Sequence, residues 1–403
     1  MNSPTHVLAS ENQHGYLSLP VLFLMAAACG LCAGGNYFNQ PLLHSIASNL
    51  NVTQATAAMA VTIAQVSYAL GLLFLVPLGD TMERKRLTVC LMTLAAVGQF
   101  ISGFAVNITM LFMGTTMAGL FSVAAQVLVP MASTLSDPRK SGRAVGLVMS
   151  GLLSGILLAR SVAGLLSDLG GWNTVYRVAG VAMLILAALL WRQLPQSRNR
   201  GKMSYPRILG SMVTLLREQP RLRSQILLGV LSFASVSVLF STMALLLAGP
   251  NYGLSDTSIG LIGLAGLAGA MMASAAGRLS DKGKDQTVTI ICVLLLILSW
   301  GLLWLGATSL WWFIIGILIC DMALQGIHIT NQTIIYKIVP EARSRINAAY
   351  MTCYFIGAAS GSALGALAWG YAGWVGTCAM GVLLAALAGL AFFYDKAVAA
   401  SGG

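Results

Sequence analysis

Apolar runs of membrane-crossing length, separated by short polar connections, recur along almost the whole chain. A hydrocarbon slab about 30 Å thick takes roughly 20 apolar residues of helix at about 1.5 Å each. Lipid gives backbone amides no partner, so spanning segments are helices or strands of a closed barrel. Runs such as 178–190 and 290–303 lack the period-two alternation of a barrel strand, which leaves helices. Run length and turn signals predict spans at 18–43, 55–79, 87–106, 108–135, 143–166 and 173–194. A second set follows at 225–248, 257–279, 287–306, 310–338, 344–371 and 373–394. Between the sets lies a long polar segment with Pro195, Pro206 and Pro220. The expected layout is a tail at 1–17, a six-span half at 18–194, a connection at 195–223, a second six-span half at 224–394 and a tail at 395–403. The fold class is thus an all-α membrane protein of twelve spans. Its first apolar segment is too long for a signal-peptide core and is read as a retained span.

Composition excludes a water-soluble protein. Charged residues make up 9% of the chain and hydrophobic residues 57%, with a mean hydropathy of +0.80. Typical soluble domains carry about 25% charged residues. The formal charge of +11 would suit nucleic acid, but the positions of the charges argue otherwise. Of the 23 Lys and Arg, all but Arg160 and Arg177 fall in alternate short connections or at the C-terminal end. They cluster at 84–86, 139–143, 192–223, 278–284 and 337–345, with Lys396 after them, and the intervening connections have none. That alternation is the positive-inside rule. It predicts that both termini, the central connection and every basic turn are cytoplasmic. All seven Cys lie in predicted spans. Cys29 and Cys32 have the spacing of a redox or metal pair, but no His or second Cys pair accompanies them, so they are read as small apolar helix residues. No cofactor, metal or nucleic acid is expected.

The two halves look like copies. Asp80 closes the second span and Asp281 the eighth, each followed by basic residues. Arg143 opens the fifth span and Arg345 the eleventh. The Gly171-Trp172 pair recurs as Gly373-Trp374. All three landmarks sit at an offset of about 200 residues, and repeat architectures of this kind place a shared site near the midplane between the halves. In span count, central connection and motif positions the chain resembles the major facilitator superfamily. That family's connection after the second span reads roughly G-x-L-x-D-R-x-G-R-R. Here Leu78, Asp80, Arg84 and Lys85 fit it, while Val76, Thr81 and Glu83 depart. The second copy, opening at Gly277 and running through Asp281 and Lys282, is one residue shorter. Within the superfamily the chain is similar to the twelve-span drug:proton antiporters. The resemblance implies alternating access, a latch at Asp80, Arg84, Lys85, Asp281 and Lys282 that closes the cytoplasmic side in one conformation, and a bacterial inner membrane. A plain topology anchor is the other reading of those charges. The antiporter motif, roughly G-x-x-x-G-P-x-x-G-G, aligns with 151–160, where Ile156 replaces the Pro and Ala159 and Arg160 replace the last glycines.

Ionisable groups inside spans are costly and are functional candidates by default. Asp321 lies about eleven residues into the tenth span, about 16 Å deep. Arg160 lies about seventeen residues into the fifth, at a comparable level, so the two are candidates for an ion pair. Asp321, Gln325, His328, Gln332 and Tyr336 repeat at spacings of three and four and share one helix face. Such a stripe faces a water-filled cavity, the reading favoured here, or forms a hydrogen-bonded helix seam. Asn36, Asn39 and Gln40 precede Pro41, which frees a carbonyl and can kink the first span. Gln126 in the fourth span completes the candidate substrate and proton-coupling set. Desolvation favours a protonated Asp321 and a nearby Arg160 a charged one, and the balance decides whether Asp321 carries protons. His328 is the second proton candidate.

The function expected from this pattern is proton-coupled efflux of small amphiphilic compounds by a monomer in the lipid bilayer. Transport of a polar metabolite or sugar is the alternative within the class. A polytopic enzyme, receptor or channel is the alternative outside it. No HExxH, GxSxG or P-loop motif supports an enzyme.

Overall fold

Helix starts are marked where a side chain can take over a free amide. Thr53 accepts from Thr56 N at 3.1 Å and Asn107 from Met110 N at 2.9 Å. The computed structural model describes residues 17–137, 140–197, 204–339 and 342–401. Most of the predicted N-terminal tail, part of the central connection and the last two residues lie outside them. In chain order the helices are α1 (Leu19–Gly34), α2 (Asn39–Asn49), α3 (Gln54–Phe74), α4 (Arg84–Gly103), α5 (Ile108–Phe121), α6 (Ala124–Leu135), α7 (Ser141–Gly170) and α8 (Thr174–Gln193). They continue as α9 (Tyr205–Glu218), α10 (Pro220–Leu247), α11 (Asp256–Ile262), α12 (Gly266–Asp281), α13 (Asp285–Leu305), α14 (Leu310–Ile338) and α15 (Arg343–Ser401).

Ten segments among the described residues are long and apolar enough to cross a membrane. The last of these holds two spans, because α15 folds back at Ala372 and Gly373, where helical dihedrals are lost. A further span is made of α11 and α12, joined through the 3-10 turn Gly263–Ala265. The first span is likewise α1 and α2 joined through a 3-10 turn at Gly35–Tyr37. The sum matches the twelve predicted spans. The internal copy is visible in the backbone too. Gly171 has φ +87° and its counterpart Gly373 φ +54°, a conformation that costs glycine little. The Trp that follows each is buried and donates from Nε1, Trp172 to Asn49 Oδ1 and Trp374 to the Leu303 carbonyl.

The central connection contains one element that its prolines and charges obscured. α9 buries Ile208, Met212 and Leu215, one face at spacings of four and three, and Tyr205 OH donates to the Phe74 carbonyl. Pro206 sits in the first turn of α9, where its missing N–H removes no helical bond.

Glycine seams bring helices into backbone contact. A Cβ on Gly155 of α7 would lie 2.2 Å from Gly30 of α1, and one on Gly361 of α15 would lie 2.0 Å from the Ala234 carbonyl of α10. Glycines at every fourth residue, Gly151 and Gly155 in the fifth span and Gly357, Gly361 and Gly365 in the eleventh, thus serve close approach. Hydrogen bonds between described residues of the two halves all lie towards the face that carries few charges. Asp256 accepts from Ser45 and Ser167, each at 2.6 Å, and Thr257 N donates to Asp168. Ser161 Oγ reaches the Gly260 carbonyl, Thr62 meets Ser362, and Trp369 Nε1 donates to Gln54. Towards the basic face, Gly142 and Gly146 of α7 face open space. The hydrogen bonds that join the halves thus gather at the charge-poor face.

Candidate substrate site

Arg160 is a buried charge held from more than one side. Its residue is 6% exposed, and its Nε donates to Gln40 Oε1 at 2.6 Å. The guanidinium lies 4.0 Å from the Phe240 ring centroid and 5.1 Å from that of Tyr37. A planar delocalised cation is suited to such aromatic faces. Gln40 and Tyr37 come from the broken first span, Phe240 from α10 in the other half, so this cluster joins the halves.

Asp321 on α14 is 8% exposed and has no hydrogen-bond partner among the described residues. The glycine-rich turn of the eighth span runs past both charges. A Cβ on Gly263 would meet Arg160 Cδ at 2.8 Å, and one on Gly266 would meet Asp321 Oδ2 at 3.1 Å. The opposite charges act on each other electrostatically, but Arg160 is held by Gln40 and no direct ion pair to Asp321 forms among the described residues.

The polar stripe of α14 divides. Asp321 and Gln325 lie against the eighth span, where a Cβ on Gly269 would come 2.9 Å from Gln325 Cγ. His328, Gln332 and Tyr336 meet α15: His328 Nδ1 is 3.1 Å from Tyr350 OH, and Tyr336 OH donates to Asn347 Oδ1 at 2.8 Å. Gln332 Nε2 approaches Asn347 Oδ1 at 3.5 Å. The lower part of the stripe is therefore a helix seam, all three residues being only half-buried.

Gln126 donates to Tyr68 OH at 3.3 Å, and the Tyr68 ring lies 4.6 Å from that of Phe355 in the other half. Phe233 stacks on Tyr354 at 4.2 Å, and Tyr354 meets His328 at 4.6 Å. Sequence reasoning passed over Tyr68, Phe233, Phe240, Tyr354 and Phe355, because an aromatic residue in an apolar span carries no mark of its own. Asn36 and Asn39 are placed elsewhere. They line a small cavity inside the first half with Gln99, Ser102, Thr115 and Tyr176.

At the basic face, Asp80 pairs with Arg84 at 3.5 Å. Arg84 is buried, donating to the Gly79 carbonyl and to Thr134 Oγ1. Lys85 lies 5.2 Å over the Trp191 ring. Glu83, a departure from the family pattern, organises the turn: it accepts from Lys85 N, Arg86 N and Ser197 N. Burial acts to raise its carboxyl pKa, but these three N–H donors outweigh it and hold the group below the ordinary value. Lys282 is exposed, and the side chain of Asp281 lies outside the described residues.

The sequence profile of the Major Facilitator Superfamily matches residues 24–362. The chain is 51% identical over 369 residues to the transporter YgaY of Escherichia coli O157:H7, covering 92% of this chain and 94% of that one. It is 26% identical to a Helicobacter pylori protein that carries the name probable sugar efflux transporter, over 85% and 87% of the two chains. The crystal structure of the nucleoside transporter NupG superposes with a TM-score of 0.73 at 13% identity, covering 94% of this chain and 99% of that one. At that identity the likeness concerns the fold.

Proposed function

The chain belongs to the major facilitator superfamily, and from that membership we propose that it exports small amphiphilic compounds in exchange for protons. That it is a multi-pass membrane transporter, and not an enzyme, follows from the family and the relatives. The finer reading rests above all on Asp321, a buried carboxylate without a hydrogen-bond partner among the described residues, within electrostatic reach of Arg160. Such a carboxylate has two ways to be accommodated in the interior: protonated and neutral, or charged and balanced by the guanidinium. The aromatic faces of Phe240, Phe233, Tyr354, Phe355 and Tyr68 suit a flat apolar body. Gln40, Gln126, Gln325 and Gln332 supply neutral hydrogen bonds for its polar edge.

By the positive-inside rule we assign the basic face, with both termini, to the cytoplasm of a bacterial inner membrane. The six-span halves at 18–194 and 224–394, linked through 195–223, then stand open to the inside. In the alternate state the charges at Asp80, Arg84, Lys85, Asp281 and Lys282 gate the closed basic face. A second reading, export of a sugar or other polar metabolite, is supported by the glutamines and by the name of the Helicobacter pylori relative.

Proteoliposomes carrying an imposed pH gradient test the proposal. The expected outcome is gradient-driven accumulation of hydrophobic cations that collapses in Asp321→Asn, while counterflow without a gradient survives. Gradient-driven transport intact in Asp321→Asn would remove the coupling role. Transport confined to sugars would favour the second reading.

A further inference from the structure

Six polar side chains from four spans meet inside the first half, away from Arg160 and Asp321. Asn36 and Asn39 come from the break in the first span, Gln99 and Ser102 from α4, Thr115 from α5 and Tyr176 from α8. None is more than 7% exposed. Together they line a cavity of about 10 Å³ for the centre of a water-sized sphere, room for a single water or a single ion. Seven of their atoms have no partner among the described residues: Oδ1 of Asn36 and Asn39, both polar atoms of the Gln99 amide, Ser102 Oγ, Thr115 Oγ1 and Tyr176 OH. Buried polar atoms are almost always satisfied, so that a dense group of orphans calls for a common partner.

The donor set selects the ligand. Six of the seven atoms are oxygens, and three of those are amide carbonyls that can only accept. One water makes about three hydrogen bonds and would leave several oxygens bare. A hard cation gathers many oxygens at once. None of the six lining polar side chains is a carboxylate, so the shell cannot offset a double charge. Gly35, in the 3-10 turn between α1 and α2, lines the cavity as well. A Cβ at Gly35 would come 2.9 Å from Gln99 Nε2, so only glycine lets that amide approach. Arg177, next to Tyr176, is held by the Gly103 carbonyl and the Phe104 ring. We propose that this chamber binds one dehydrated sodium ion, coordinated by the side-chain oxygens of Asn36, Asn39, Gln99, Ser102, Thr115 and Tyr176. Asn39 adjoins Gln40, which holds Arg160, so an ion fixing this turn also fixes the arginine.

The test is thermal unfolding of the purified full-length protein in sodium chloride against choline chloride at equal ionic strength, with radioactive sodium binding alongside. The expected result is a saturable rise in Tm with sodium alone and one ion bound per chain. Gln99→Leu should abolish the shift, and Thr115→Val, a milder change, should raise the sodium midpoint several-fold. Asp321→Asn should keep the shift, which separates this site from the proposed proton exchange. Identical melting in the two salts, absence of bound sodium, or a shift that Thr115→Val leaves untouched would each overturn the assignment. So would a shift lost in Asp321→Asn.

Discussion

Glu83 shows how one carboxylate can anchor a whole turn. Without it, the first amides of α4 lose their cap and the buried Ser197 N–H loses its acceptor. An N-cap is worth about 0.5–2 kcal/mol and an orphaned buried donor about 1–3 kcal/mol. Glu83→Ala is therefore expected to destabilise the protein by about 1–3 kcal/mol at neutral pH, measured as a lowered melting temperature. The pH dependence has a definite sign. Because the folded carboxyl titrates below its ordinary value of 4.5, its stabilisation is complete above that value and is lost as pH falls through the lower folded one. Wild type and Glu83→Ala should thus differ by a constant amount near neutrality and converge in acid. A gap that persists into strong acid would mean the side chain acts by packing and not as a charged acceptor.

Within α7 the same residue type serves two purposes, and substitution separates them. A Cβ at Gly155 would press on the backbone of Gly30, whereas at Gly146 it would meet open space. Gly155→Ala should cost about 1–3 kcal/mol by overpacking, and Gly146→Ala should be neutral or stabilise by up to about 1 kcal/mol through helix propensity. Paired thermal melts decide it, and equal effects at the two positions would refute the seam. The seam is legible in the sequence itself, as glycine at every fourth residue of a span favours close helix approach. The twelve spans were visible for a similar reason, since membrane crossing demands both length and apolarity. Helix α9 was hidden because three apolar residues among charges and prolines carry little signal over 14 residues. For the site, the buried charges Asp321 and Arg160 were evident from their cost in lipid. Their surroundings were not, since contact between Arg160 and Phe240 depends on how two halves meet. Asn39 adjoins Gln40 and Asn36 lies one turn before it, yet both line a cavity that Gln40 does not, a matter of helix rotation that spacing alone leaves open.

For the whole molecule, the bonds at the charge-poor face are what any switch of state must break. Asp256 is their centre, taking hydroxyl bonds from Ser45 and Ser167 of the opposite half while its neighbour Thr257 bonds Asp168. Hydrogen bonds to a charged group contribute about 1.5–3 kcal/mol each, so the two hydroxyl bonds hold the face closed by about 3–6 kcal/mol at most. Every 1.4 kcal/mol is about a tenfold change in population. Even a partial loss should make the opposite state visible. Asp256→Ala removes both acceptors without adding bulk. Spin labels at positions 48 and 258, which sit at the charge-poor ends of the two halves, report the outcome in a background freed of reactive cysteines. The wild type should give one short distance, and Asp256→Ala should add a longer population that grows as the clasp is lost. If the distance distribution is unchanged, the close backbone packing of Gly164 on Asp256 and of Gly260 on Arg160 holds the face, and the hydroxyl bonds merely decorate it. That alternative makes its own demand. Bulk added at Gly260 would then open the face where removal of the carboxylate did not, because a Cβ there would lie 2.4 Å from the Arg160 carbonyl.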